Sequence, residues 1–287
     1  MMSLWESIFL GMVQGLTEFL PVSSSGHLAI LQKFMSLDQG TMTFDVLLHM
    51  ATLGSISVYF RKEILELIKA MVRVPGFCKH LFQKGHLAIA DDEPVWMLVL
   101  ISFSTIATVT IAVPAKDWIE THFHSLLLIG LSYLLTSAVL WSTRYAAPEE
   151  QKKKRRRSIK GTSQISIQDA LLIGLAQAVA LLPGVSRSGS TISTALLLRV
   201  SREQSGKYSF LMAIPVILGA MIMKLSEPSS ITTLNLVNTT IGCITAFLVG
   251  LMALSLLIPW VKKGKLHYFS YYCLALGILC LFLELGR

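Results

Sequence analysis

Six stretches of the chain are apolar almost throughout: Phe44–Phe60, Val95–Val113, Ser125–Trp141, Tyr208–Met223, Thr239–Trp260 and His267–Leu285. A bilayer core of about 30 Å takes roughly 20 helical residues to cross, so each predicts a transmembrane helix. Two further stretches, 4–36 and 168–200, are apolar but broken midway by a proline and a Ser/Gly-rich turn. Their arms are too short to span. The nine residues from His27 to Met35 reach only about 14 Å as a helix, and the arm Gln168–Leu182 is also shorter than a span. Each stretch therefore predicts a re-entrant helical hairpin, turning at Pro21–Gly26 and at Pro183–Gly189.

The two hairpins are related in sequence. An offset of 163 residues, without a gap, places Gly11 on Gly174, Gln14 on Gln177, Val22 on Val185, Ser23 on Ser186, Ser25 on Ser188 and Gly26 on Gly189. The copies differ at chemically active positions: Glu18 and His27 occur only in the first, Arg187 only in the second. The expected fold is an all-α polytopic membrane protein of two inverted-topology repeats, each a re-entrant hairpin plus three transmembrane helices. The first repeat covers 1–142, a basic linker 143–167, and the second repeat 168–287.

Composition agrees with a membrane chain: of 287 residues, 53% are hydrophobic and 15% charged, with a mean hydropathy of +0.62. The formal charge of +8 is explained by topology rather than by a nucleic-acid partner, because the cations sit between spans. Loop 61–94 carries Arg61, Lys62, Lys69, Arg73, Lys79 and Lys84. Loop 143–167 carries Arg144, the run from Lys152 to Arg157, and Lys160; loop 261–266 carries Lys262, Lys263 and Lys265. Residues 114–124 and 224–238 are poor in cations, with Lys116 beside Asp117 and Glu120, and Lys224 beside Glu227. Positive-inside counting puts the basic loops in the cytoplasm, so the first hairpin enters from outside and the second from the cytoplasm. The run from Lys152 to Arg157 is read as a topology determinant, with binding to anionic lipid as the alternative. No Lys or Arg precedes Lys33, and Glu6 and Glu18 interrupt the first apolar run, so no cleavable signal is expected. Cys78, Cys243, Cys273 and Cys280 form no CxxC pair and are read as buried hydrophobes.

Broken helices in corresponding places of two halves point to a site near the bilayer midplane. Ser25 and Ser188 are expected to cap the returning arms. Helix N-termini there, with hydroxyls from Ser23, Ser24, Ser186, Ser190 and Thr191, suit a phosphate-like anion. Arg187 can clamp phosphate bidentately or bond loop carbonyls. Gln14 and Glu18 share a helix face, and Glu18 can be a general base, a ligand to Mg²⁺ or Ca²⁺, or the counter-ion of Arg187. Ser24 is either a nucleophile or a cap; His27 is catalytic or structural. Asp45 and His49 are placed at the outer end of a span, bordering the cavity mouth or making an ordinary helix end. His122 and His124, near Asp117 and Glu120, read as a polar loop rather than a metal site.

The stretch Gln14-xxx-Glu18, followed by Pro21-Val-Ser-Ser-Ser-Gly-His27, and the stretch Pro183-Gly-Val-Ser-Arg-Ser-Gly-Ser-Thr191 resemble the undecaprenyl-diphosphate phosphatase family of bacitracin-resistance membrane proteins. The resemblance covers essentially the whole chain. It implies hydrolysis of the C55 isoprenyl diphosphate carrier to its monophosphate, dependence on a divalent cation (Mg²⁺ or Ca²⁺), and an inner-membrane location with the site opening to the outer face. By motif position, Glu18 carries over as an essential acid, Ser24 and His27 as catalytic candidates and Arg187 as the phosphate clamp. Ser23, Ser25, Gly26, Ser186, Ser188, Ser190 and Thr191 line the substrate, and Glu18 with Gln14 holds the metal. Gln14 stands where many members have glutamate. An amide cannot act as a base, so a two-carboxylate metal site is not expected.

Two routes stay open: in-line attack by Ser24 with His27 taking its proton, or water activated by His27 or Glu18. The rival class is a polyprenyl-phosphate flippase or transporter on the same scaffold. The expected partners are the isoprenyl diphosphate, the bilayer and, as a candidate, a second copy of the chain; the sequence itself specifies no oligomeric state.

Overall fold

The computed structural model describes residues 2–37, 41–84, 92–146, 159–225 and 235–286. The basic run from Lys152 to Arg157 and Glu227 lie outside the described residues, as do the side chains of Cys78, Lys79, Lys84 and Lys224. Eleven helices follow in order among the described residues: α1 (Leu4–Phe19), α2 (Ser24–Phe34), α3 (Thr41–Tyr59), α4 (Arg61–Lys84), α5 (Glu93–His122), α6 (Leu126–Ser142), α7 (Ile167–Val179), α8 (Arg187–Leu197), α9 (Arg202–Leu225), α10 (Leu236–Lys262) and α11 (Phe269–Leu285). No strand occurs among them, only an isolated bridge between Lys160 and Val200.

Local chemistry sets the helix starts. Ser3 and Glu6 form a capping box at α1, Ser166 and Asp169 another at α7. Asp92, Ser125 and Asn235 accept first-turn N–H groups of α5, α6 and α10. All six apolar stretches are helical. Five helices (α5, α6, α9, α10 and α11) are long and apolar enough to cross a membrane, and α3 with α4 makes a sixth apolar unit bent by 87°. The protein is a polytopic all-α membrane protein.

Residues 61–84 are helical rather than loop, which corrects the expectation for 61–94. Charge counting reports only on which side of the membrane a segment lies. Within α4, Ile64, Leu67, Ala70, Val74 and Phe77 recur at helical spacing and pack into the main core with α5 residues such as Trp96 and Leu100.

The packing crosses between halves. α1 lies along α10, α7 lies along α5, and α6 pairs with α11. Two glycines at equivalent repeat positions permit this. A Cβ on Gly11 would stand 2.4 Å from the Gly242 carbonyl oxygen, and one on Gly174 would stand 2.4 Å from the Ser104 carbonyl oxygen. Backbones in such contact bring polar groups together. Ser104 Oγ donates to the Ala170 carbonyl at 2.6 Å, and Thr108 Oγ1 to that of Gly174 at 2.9 Å. Tyr208, fully buried, donates to the Leu100 carbonyl at 2.9 Å, so its hydroxyl is satisfied. Cys243, Cys273 and Cys280 are free thiols within α10 and α11.

Candidate active site

Proline ends the first arm. Leu20, preceding Pro21, takes φ −57° and ψ 140°, the extended conformation that a following proline favours. Ser23 then adopts φ 65°, and α2 starts at Ser24 with Ser23 Oγ accepting from the Gly26 N–H. In the second copy, Gly184 takes φ +95° and Ser186 Oγ accepts from the Gly189 N–H at 3.0 Å. The caps are therefore Ser23 and Ser186, which corrects the expectation of Ser25 and Ser188. A capping hydroxyl reaches the N–H three residues on, and both copies begin the helix two residues earlier than expected. Ser25 Oγ instead lies 3.3 Å from Ser23 Oγ, while Ser188 Oγ crosses to donate to the Phe19 carbonyl at 2.9 Å.

The two turns touch. A Cβ on Gly26 would meet Gly184 Cα at 2.9 Å and the Tyr133 hydroxyl at 2.7 Å, so only glycine fits there. α6 grips both turns from one side. Tyr133 reaches His27 Nδ1 at 2.8 Å, whereas Thr136 Oγ1 donates to the Gly184 carbonyl and accepts from the Ser186 N–H.

Glu18 is buried where these elements converge. Arg187 Nη2 donates to its Oε1 at 2.5 Å; Ser24 Oγ donates to its Oε2 at 2.6 Å, and Gln14 Nε2 to the same oxygen at 3.0 Å. His49 Nε2 stands 3.4 Å from Oε2. The structure thus sets His49 against Glu18, where the sequence left it either at the cavity mouth or at an ordinary helix end. Its Nδ1 donates to the Asp45 carbonyl, and Asp45 Oδ1 in turn accepts from Gln32. Two buried polar atoms here have no hydrogen-bond partner among the described residues: Gln14 Oε1 and Arg187 Nη1.

The remaining predicted residues lie further off. His27 Nδ1 is 2.7 Å from the Ser23 carbonyl and Nε2 is 2.7 Å from the Tyr272 hydroxyl, so its ring bonds do not reach Ser24. Thr191 Oγ1 donates to the Arg187 carbonyl and meets Ser209 Oγ at 2.5 Å; Ser190 is buried on the same helix. His122 bonds the Trp118 carbonyl, and Lys116 pairs with Glu120, as an ordinary polar helix end does.

Among the described residues no three His, Cys, Asp or Glu side chains group as metal ligands. The Glu18 carboxylate and the unpartnered Gln14 Oε1 are oxygen donors of the kind that would hold one hard cation. They do not make a two-carboxylate centre. Sequence reasoning missed Thr52, whose hydroxyl lies 3.5 Å from Gln14 Nε2, and also Tyr133, Thr136 and Tyr272. The available signal was polar spacing inside apolar spans: His49 to Thr52, and Tyr133 to Thr136, are each three apart and share a helix face.

The model of the family described as bacitracin resistance protein BacA matches residues 7–279, a range that includes both turns and every residue around Glu18. The chain belongs to this family. Among its curated relatives, the undecaprenyl-diphosphatase of Desulforapulum autotrophicum is 36% identical over 282 residues, covering 97% of each chain. That of Korarchaeum cryptofilum is 36% identical over 277 residues, covering 96% of this chain and 98% of its own. That of Carboxydothermus hydrogenoformans is 36% identical over 287 residues, covering 99% and 98%.

Proposed function

We propose that this chain is an integral membrane phosphatase. It hydrolyses undecaprenyl diphosphate to undecaprenyl phosphate and inorganic phosphate, returning the lipid carrier to cell-wall synthesis and conferring bacitracin resistance. The observation that carries this is the double engagement of Glu18: its carboxylate accepts the Ser24 hydroxyl on one oxygen and Arg187 on the other. Arg187 Nη1 has no protein partner among the described residues and is free to receive a phosphate oxygen.

The mechanism follows from these positions. Ser24 Oγ attacks the terminal phosphorus as Glu18 Oε2 accepts its proton. The bond from that phosphorus to the bridging oxygen breaks, and undecaprenyl phosphate leaves with the electron pair and takes up the proton from Glu18, which returns to the carboxylate. Water then attacks the seryl phosphate, losing a proton to Glu18, and inorganic phosphate departs as Ser24 recovers its proton. Arg187 and first-turn N–H groups of α2 and α8 stabilise the charge on the transferring group. A divalent cation, Mg²⁺ or Ca²⁺, would be held by Glu18 and Gln14 Oε1 and would neutralise phosphate charge.

In this reading α1–α2 and α7–α8 are re-entrant hairpins of two inverted repeats, entering from opposite sides of the inner membrane. Support comes from the crossed packing, in which α1 lies on α10 and α7 on α5, with Gly11 and Gly174 in equivalent close contacts. The polar centre opens toward the outer face and the isoprenyl chain extends sideways into lipid. Phosphate release from isoprenyl diphosphate by the purified protein in detergent, with Mg²⁺ or Ca²⁺ added, is the expected result. Absence of release with both ions would reject the phosphatase in favour of a lipid carrier on this scaffold.

A further inference from the structure

Ser23 is one of three non-glycine residues with positive φ among the described residues, at 65°. A serine held there is strained, so neighbouring bonds must maintain it. The strain sits one residue before Ser24, and the Ser23 backbone decides where the Ser24 hydroxyl points.

Three groups converge on the Ser23 carbonyl. His27 Nδ1 is 2.7 Å away, the His27 backbone N–H 3.3 Å and the Tyr133 hydroxyl 3.4 Å. A carbonyl oxygen only accepts, so Nδ1 carries the proton; in the neutral ring Nε2 is then the acceptor. Nε2 has its donor, the Tyr272 hydroxyl, at 2.7 Å. Tyr133 packs edge-on against the imidazole, with centroids 5.7 Å apart, and its hydroxyl is 2.8 Å from Nδ1. Both ring nitrogens are thus committed, while the Ser24 proton goes to Glu18.

We infer that His27 is a positioning residue: with Tyr133 and Tyr272 it locks the strained Ser23 turn that aims Ser24 at Glu18, and it does not deprotonate Ser24. This rests on the phosphatase reading above. Asparagine at position 27 can place its Nδ2 near the position of Nδ1 and still donate to the Ser23 carbonyl, but has no basic nitrogen. Glutamine reaches the position of Nε2 instead.

The test compares His27→Ala, His27→Asn and His27→Gln with the parent, purified in detergent, with phosphate release measured across pH. Thermal unfolding identifies variants that fold. Misplacing an attacking group by about 1 Å costs roughly a hundredfold, so His27→Ala should lose about that in kcat, with KM changing little. His27→Asn should recover to within about tenfold of the parent, keeping the acid limb of its kcat–pH profile, and His27→Gln should resemble Ala. Equal loss in Asn and Ala, or disappearance of that limb in Asn, overturns the inference. A second readout does not need turnover. In ¹⁵N-histidine-labelled parent, the His27 resonance, assigned by its absence from His27→Asn, should show the Nδ1–H tautomer; an Nε2–H ring overturns the inference even if the phosphatase reading has failed.

Discussion

Ser24 Oγ and Glu18 Oε2 stand 2.6 Å apart, joined by a hydrogen bond that the serine donates. They lie on different helices, separated by a proline turn, and meet because Glu18 is fixed from other sides by Arg187 and Gln14. In the proposed mechanism this bond gives the Ser24 hydroxyl its proton acceptor before substrate arrives.

The other oxygen of Glu18 sets the demand on Arg187. Its Nη2 is taken by the carboxylate, and Nη1 has no hydrogen-bond partner among the described residues. Arg187→Ala should lose at least about a hundredfold in kcat/KM. Lysine keeps the charge but not the planar fork, so Arg187→Lys should fall between. Phosphate-release kinetics on folded variants checks the order.

His49 contacts Glu18 without reaching the Ser24 hydroxyl, so its loss should be milder. We expect His49→Ala to lower kcat about tenfold, and His49→Gln, which keeps an N–H for Glu18, to lie within about threefold of the parent. A loss in His49→Gln as large as that from Ser24→Ala would place His49 in the chemistry itself.

The crossed packing depends on glycine at two equivalent positions. A methyl group at Gly11 or Gly174 would enter a carbonyl oxygen's space at 2.4 Å, whereas one at Gly219, in α9, meets nothing within 4 Å. Gly11→Ala and Gly174→Ala should each destabilise by about 1–3 kcal/mol. Gly219→Ala should be neutral or slightly stabilising, as alanine favours helix. Thermal unfolding in detergent compares the three.

Much of this was legible because repeats mark equivalence. Gln14, Glu18 and Arg187 announce themselves as polar residues on apolar arms, and the structure brings them within bonding distance. The serines were harder: a Ser-Ser-Ser run does not say which hydroxyl caps, and the cap is Ser23, whose own φ is positive, while its counterpart Ser186 caps at an ordinary φ of −76°. Tyr272 was illegible for another reason. It reaches His27 across 245 positions, and nothing local distinguishes it from neighbouring tyrosines. α4 was hidden by its charge, although its apolar positions already repeated at helical spacing.

The ion pair between α4 and the start of α5 offers a pH test. Two hydrogen bonds from Arg73, at 2.7 and 2.9 Å, hold the Asp92 carboxyl below the ordinary carboxylate range. Because the folded value is depressed, the stabilisation is complete above the unfolded value and is lost as pH falls through the folded one. Asp92→Asn, which can still cap α5, should lower the unfolding temperature slightly at pH 7. The difference should vanish in strong acid.

The central claim is that Ser24 attacks phosphorus with Glu18 as its base. Rapid acid quench of the purified protein with substrate labelled in the terminal phosphate tests it most directly. The account predicts label on Ser24 in the parent, none in Ser24→Ala, and a loss of turnover in that variant of at least about a hundredfold. Near-normal phosphate release by Ser24→Ala, with no labelled serine in the parent, would contradict it.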